Sequence, residues 1–180
     1  MKTIRCLPIV AGILALCAGV PVFAQINQDT QRITVTASIP VLMNLTVDST
    51  NVPFNFVQGD YDTVTGAGSK EAVNATTFKV ASNARWKLNV KADNSKFSYV
   101  PTPPGTGTAN KASGDLSVKT GTTAYAPVTS LTSLDLAQGE AGGYTAPGNS
   151  IPVSYQLNTS VVSDPPGTYT LNLTYTLMPQ

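Results

Sequence analysis

Apolar and polar residues alternate with a period of two along most of this chain. The clearest example is the last stretch, where Tyr169, Leu171, Leu173, Tyr175 and Leu177 fall on one side and polar residues fall on the other. This period is typical of β-strands with one buried face. The same pattern predicts further strands at 33–38, 42–47, 53–57, 77–81, 86–92, 97–100, 116–118 and 151–157.

Stretches rich in Gly, Pro and Asp separate the predicted strands, at 59–68, 101–107, 139–148 and 164–167. These residue types favour tight turns and loops. No window after residue 24 shows a helical stripe with caps. The sequence therefore predicts an all-β fold, a single antiparallel β-sandwich of immunoglobulin-like character.

The first 24 residues have the features of a signal peptide. Lys2 and Arg5 precede an apolar run, and residues 22–24 place small side chains where a signal peptidase cleaves. A retained membrane anchor fits less well, because Pro and Gly interrupt the run. We expect a signal peptide at 1–24 and a secreted protein at the extracellular cell surface.

The rest of the chain is predicted to consist of a short N-terminal segment and one domain. Residues 25–32 are polar, so we expect a flexible N-terminal segment there. Residues 33–180 are predicted to form one β-sandwich domain. Loss of Lys2 and Arg5 leaves nine basic and ten acidic side chains without a basic patch, so nucleic acid is not an expected partner.

The residue inventory argues against catalysis. The chain has no histidine, and both cysteines, Cys6 and Cys17, lie in the signal peptide. Zinc sites and nucleophile–histidine machinery therefore lack their components. The scattered carboxylates leave a carboxylate-only mechanism as the alternative. We predict no catalytic residues, no metal site, no cofactor and no enzymatic activity.

Two loop features have candidate binding roles. Asp60 and Asp62 would supply two oxygens to Ca²⁺, but further ligands are not visible, which favours an ordinary Asp-rich turn. Tyr61, Tyr125 and Tyr144 lie in loops rich in Gly and Pro, where we expect exposed rings available to a partner.

Two motifs resemble those of the WxL bacterial surface proteins. Residues 86–88 match the Trp-x-Leu tripeptide, and residues 169–179 are similar to the distal motif of that family, with Tyr175 in place of its second Trp. The motif residues are Trp86, Leu88, Tyr169, Leu173, Thr174, Tyr175 and Leu177.

The WxL resemblance implies non-covalent association with peptidoglycan, the cell envelope or other surface proteins. We expect the motif side chains to build the sandwich while its end loops bind. Trp86 shares its face with Leu88 and Val90, which predicts a core position rather than an exposed carbohydrate platform.

A second resemblance is to the colonisation-factor-type fimbrial major subunits. It rests on residues 33–38 followed by an apolar strand, on a mature chain without cysteine, and on residues 166–169 introducing the last strand. The resemblance implies that the N-terminal strand of one subunit completes the sheet of its neighbour in an adhesive fibre. The inserted side chains would be Ile33, Val35, Ala37 and Ile39. Wall association is the first expectation, and a fimbrial subunit is the alternative.

Overall fold

A computed structural model describes residue 32, residues 34–103 and residues 107–180, and it confirms the all-β prediction. Residues from Ile39 to Gln180 form one compact unit. All strand pairs are antiparallel. The strands are β1 (Met43–Val47), β2 (Ala67–Ser82), β3 (Trp86–Ala92), β4 (Ser98–Pro101), β5 (Leu116–Thr120), β6 (Ala126–Pro127), β7 (Leu134–Gly139), β8 (Ser150–Ser160), β9 (Gly167–Thr170) and β10 (Leu173–Pro179).

The strands form two main sheets and a small ribbon. One sheet has the order β1-β2-β8-β5-β6, the other has the order β10-β3-β7, and β4 pairs with β9. Short 3-10 turns cover Gln58–Asp60 and Ser113–Asp115. Alternate residues of both main sheets point inward and form one apolar core.

The long strand β2 defines two ends of the sandwich. At 16 residues, it reaches roughly 50 Å at 3.3 Å per residue. After its last residue, Asn83 bonds Pro40 O and Leu42 N at 2.8 and 2.7 Å; we call residues 40–42 with Asn83 the amino pole. Before its first residue, Gly66 O accepts the Val161 N–H at 2.9 Å. The turns at 62–66 and 161–163 are the turn pole.

Trp86 anchors the half of the sandwich nearest the amino pole. Its side chain is fully buried, and its indole N–H donates to Glu140 O at 3.1 Å and Asn149 Oδ1 at 3.2 Å. Gly139 lies against the ring where a Cβ would overlap it. In this half β1 lies against β10. We call this region, from the amino pole to the Val47–Phe78 pair, the closed half.

Several predicted boundaries differ from the structure. The predicted final strand is two strands, because β9 pairs with β4 while β10 pairs with β3. The carbonyl of Asn172, between them, accepts the Asp93 N–H. Strands β6 and β7 were not predicted. The described residues 34–38 form no strand and are exposed, which corrects the strand prediction for 33–38. They have no partner strand in this sheet order.

Candidate functional site

A groove of about 1270 Å³, lined by both apolar and polar residues, opens between the two sheets on the side of the turn pole. Residues 49–56 line one wall, and residues 164–173 line the other. We call this space the groove, and the part of the sandwich around it the open half. Its floor is formed by Thr76, Phe78, Phe97, Lys111, Leu116, Tyr155, Leu157 and Tyr175.

The first wall has the side-chain pattern of a strand without strand pairing. Val52, Phe54 and Phe56 are half-buried and pack on the core, while the residues between them are exposed. Within the described chain, residues 51–56 make no main-chain to main-chain hydrogen bond. Residues 53–57 were predicted as a strand; the side chains alternate as expected, but the main chain has no ladder partner.

The second wall consists mainly of β9, which pairs only with β4, and it reaches β10 at Leu173. Strand β10 pairs only with β3 in its three-stranded sheet. Leu171, Leu173 and Tyr175 alternate toward the core with exposed residues between them. The groove is therefore bounded on both sides by main chain able to form hydrogen bonds with an added strand.

Two polar features interrupt the apolar floor. The Tyr155 and Tyr175 hydroxyls lie 2.7 Å apart, and the Tyr175 ring packs on Phe78 with centroids separated by 4.3 Å. Burial, followed by the electrostatic interaction and the hydrogen bond with Tyr155, raises the pKa of Tyr175, so the Tyr175 hydroxyl is neutral. Thr76 is buried, and in the described structure its hydroxyl has no hydrogen-bond partner.

A buried ion pair lies where the groove approaches the turn pole. Lys111, with only 3% of its side chain exposed, donates to Asp164 at 2.7 Å and to Asn158 O at 2.6 Å. Asp164 also accepts from the Thr159 hydroxyl at 2.7 Å and the Ser160 N–H at 3.1 Å. Burial raises the pKa of Asp164, but the bonds from Lys111, Thr159 and Ser160 lower it overall. The Asp164 carboxylate is therefore ionised and accepts from all three donors.

The structure separates the predicted WxL motif residues into two groups. Trp86 and Leu88 are fully buried in the closed half, which confirms the core prediction for Trp86. Tyr169, Leu173 and Tyr175 line the groove. Leu177 packs on the core, and Thr174 is exposed and donates to Asp93 at 2.6 Å.

The N-terminal candidates are exposed where they are described. Val35 is 87% exposed and Ile39 is 78% exposed. Ala37 is exposed as well, and Ile33 lies outside the described residues.

The loop tyrosines are less exposed than predicted. Tyr61, Tyr125 and Tyr144 are all half-buried, which corrects the prediction of free rings. Tyr61 packs against Phe56 with ring centroids 5.9 Å apart. The Tyr125 hydroxyl is buried. The Lys119 ammonium lies 4.2 Å from the centroid of the Tyr125 ring.

Asp60 and Asp62 are engaged separately. Asp60 accepts from Lys70 at 2.9 Å, whereas Asp62 accepts from the N–H groups of Val64 and Thr65. The residues described contain no cluster of three or more potential metal ligands. Within the same residues, no helix has the length and apolar character needed to cross a membrane.

Comparison with known proteins leaves the chain without an assigned family. No protein-family model matches it, and comparison with curated proteins found no significantly similar sequence.

The sequence analysis did not predict the groove. The sequence shows alternating apolar segments such as residues 53–57, but it does not show which of these segments lack a pairing partner. The groove could therefore not be located from the sequence.

Proposed function

We propose that this protein is a secreted, non-enzymatic fibre subunit whose groove receives the N-terminal segment of a second copy. The observation that carries the proposal is the match between an unfilled groove and an exposed, alternating apolar segment. The donor segment, residues 33–39, presents Ile33, Val35, Ala37 and Ile39 on one side. Adding it as a strand would place those side chains in the groove and its hydroxyl-bearing residues in solvent.

Main-chain chemistry supports the same occupant. An added strand offers N–H and C=O groups to residues 51–56 on one side and to β9 and the start of β10 on the other. It also brings polar groups to the floor, where the Thr76 hydroxyl lacks a partner among the described residues. A buried polar atom without a partner costs about 1–3 kcal/mol. Residues 51–56 have no main-chain hydrogen-bond partners within the described chain, and a compact apolar ligand would supply none.

The direction of the added strand follows from the shape of the groove. Contact between β1 and β10 closes the groove toward the amino pole. At its other end the lining reaches Val161 and Pro165 beside the turn pole. A second copy therefore has to approach from the turn pole. Its Ile39 would lie at that mouth, and its Ile33 would lie deepest, next to the closed half.

The position of the groove favours a donor segment from a second copy over the donor segment of the same chain. Ile39 leads into Pro40 at the chain's own amino pole, whereas the groove begins at Val47 and extends away from that pole. A donor segment filling its own groove would first have to reverse past β1. Head-to-tail addition needs no reversal, and it generates a fibre wherever the rotation between successive copies does not close a ring.

The inventory of the groove favours binding over catalysis. Apart from tyrosines, its ionisable lining residues are Lys111 and Asp164, which bind each other. Wall association, implied by the WxL resemblance, stays a prediction. Because Trp86 is buried, we expect any glycan contact to use loop residues rather than the tripeptide itself.

The test compares two substitutions of opposite parity in the donor segment of the full chain. Val35→Asp places a charge in the groove and should abolish fibres. Thr36→Asp places the same charge one residue later on the solvent side and should preserve them. Light scattering and electron microscopy provide the readout. Equal assembly by both variants, or fibres after deletion of residues 25–38, would contradict the proposal.

A pelleting assay tests in parallel the cell-wall association that the WxL resemblance implies. Purified peptidoglycan is incubated with wild-type protein and with the Val35→Asp variant. Pelleting of both variants would support wall association independent of the groove. Pelleting of neither, together with fibres from the wild type alone, would leave fibre assembly as the function.

A further inference from the structure

Three exposed valines form an apolar patch at the turn pole, beside the mouth of the groove. Val64 is 91% exposed, Val162 is 84% exposed, and Val161 is more than half exposed. Tight turns favour Gly, Pro, Asn and Asp rather than β-branched apolar residues. Turn formation therefore does not explain these side chains, and contiguous exposed apolar residues commonly mark an interaction surface.

The patch is held in place by its own main chain. The Asp62 carboxylate accepts from the N–H groups of Val64 and Thr65 at 3.0 and 2.6 Å. The Val161 N–H is bonded to Gly66 O, and the Val162 N–H donates to the Ser160 hydroxyl at 3.2 Å. Little conformational freedom remains to be lost when such a surface is covered.

Gly66 brings the two turns together. It adopts φ +70°, a left-handed conformation that favours glycine, and a Cβ there would overlap the Val161 side chain. The close approach makes Val161 continuous with the 62–66 turn. The valines thus form one surface built from two separate turns.

The amino pole of a second copy is the surface that would reach this patch. Given the proposed function, Ile39 of the incoming copy lies at the mouth of the groove. Only Pro40, Val41 and Leu42 separate it from Met43, where β1 begins. The four Cα-to-Cα steps from residue 39 to residue 43 span at most about 14 Å. Val41 is 58% exposed and Leu42 is 61% exposed, so both offer apolar side chains.

We infer that the patch of Val64, Val161 and Val162 docks on Val41 and Leu42 of the copy whose donor segment fills the groove. This contact rests on the proposed function and adds a second interface to it. The donor segment supplies the link between copies. The contact between poles fixes the angle at which successive copies stack and excludes water from the mouth of the groove.

A reciprocal charge test on the full chain examines the contact. Val162→Asp and Leu42→Lys should each slow fibre growth ~10-fold, because each places a charge against an apolar surface. In the double variant the two charges meet between neighbouring copies, so growth should recover to within a few-fold of wild type. Light scattering gives the rate, and electron microscopy gives the fibre form.

Matched controls use a valine far from both poles. Val73 is 64% exposed on β2, near the register shift at residues 72–76. Val73→Asp should assemble like wild type, and combining it with Leu42→Lys should not restore growth. Growth of Val162→Asp at the wild-type rate, or a double variant no faster than the slower single variant, would overturn the inference.

Peptide binding separates this inference from the proposed function. A synthetic peptide of residues 31–41 should bind wild type and Leu42→Lys equally, because Leu42 lies at the pole opposite the groove mouth. Failure of the wild type to bind the peptide counts against the proposed function. Normal peptide binding by Leu42→Lys and Val162→Asp with unchanged fibre growth counts against the pole contact alone.

Discussion

The closed half is built from the two main sheets, whereas the open half also includes the unpaired segment 49–56 and the β4–β9 ribbon. The two halves bury apolar side chains to different extents. Val80, Trp86 and Leu88 are completely buried in the closed half. Phe54, Phe56 and Leu171 are half-buried in the open half. In the closed half β1 lies against β10, whereas the groove separates residues 49–56 from residues 164–173. Apolar alternation thus directs side chains inward but does not determine whether a segment finds a pairing partner.

The largest difference between the halves should appear when the anchor of the closed half is removed. Trp86→Ala leaves a large cavity and unpairs the Asn149 side chain from the indole, so we expect a loss of ~3–5 kcal/mol in the free energy of unfolding. Urea denaturation followed by far-UV circular dichroism measures it. A loss below ~1 kcal/mol would contradict the closed core.

The next effect concerns the ion pair at the end of the groove. Lys111→Met keeps the apolar stem but leaves Asp164 without its cation, for an expected loss of ~3 kcal/mol. Arg85→Met is the matched control, because it breaks the exposed Arg85–Glu140 pair and should cost less than ~1 kcal/mol. Equal losses from the two substitutions would contradict the buried character of the Lys111 pair.

Substitution of a groove residue should change the stability of the free protein and of the peptide-bound protein by different amounts. Phe54→Ala removes a half-buried ring, so we expect a loss of ~1–2 kcal/mol in the free chain, less than for full burial. The peptide of residues 31–41 at 100-fold excess over its Kd should stabilise wild type by ~2.7 kcal/mol. Phe54→Ala should lose part of that gain. Thermal unfolding with and without peptide provides the comparison.

The smallest expected effect is a dependence of folding stability on pH in the acidic range. The pKa of Asp164 in the folded chain lies below its usual value of 3.8. Its contribution is therefore fully present above that value and is lost as the pH falls through the lower folded pKa. Asp164→Asn should flatten the decline of the melting temperature below about pH 4. An unchanged slope would show that other carboxylates dominate.

Alternation in the sequence predicted the fold class and most strands because it reports which side chains face the core. It located β3 and β5 closely, and it placed Trp86 inside. It missed β7, where the spacing of buried residues is disrupted by a register shift opposite Leu88 and Asn89. The break after Thr170 was invisible as well, because the alternation continues through Leu171 while the pairing partner changes from β4 to β3.

The candidate site was only partly predictable, for the same physical reason. Residues 33–39 and 53–57 both carry the pattern of strands, and a sequence does not reveal which edges they pair with. Residues 33–39 were proposed as a donor segment from their side chains, whereas the groove depends on contacts distant in sequence. Lys111 and Asp164, 53 residues apart, gave no sequence signal because neither lies in a motif.

The length of β2 has a mechanical consequence. This strand runs nearly from one pole to the other and is bonded to β1 on one side and to β8 along most of its length on the other. Ladder hydrogen bonds are perpendicular to the strand axis. Tension applied along β2 would therefore load these hydrogen bonds in shear, all together, rather than opening them one after another. The sheet should thus resist extension between its two poles.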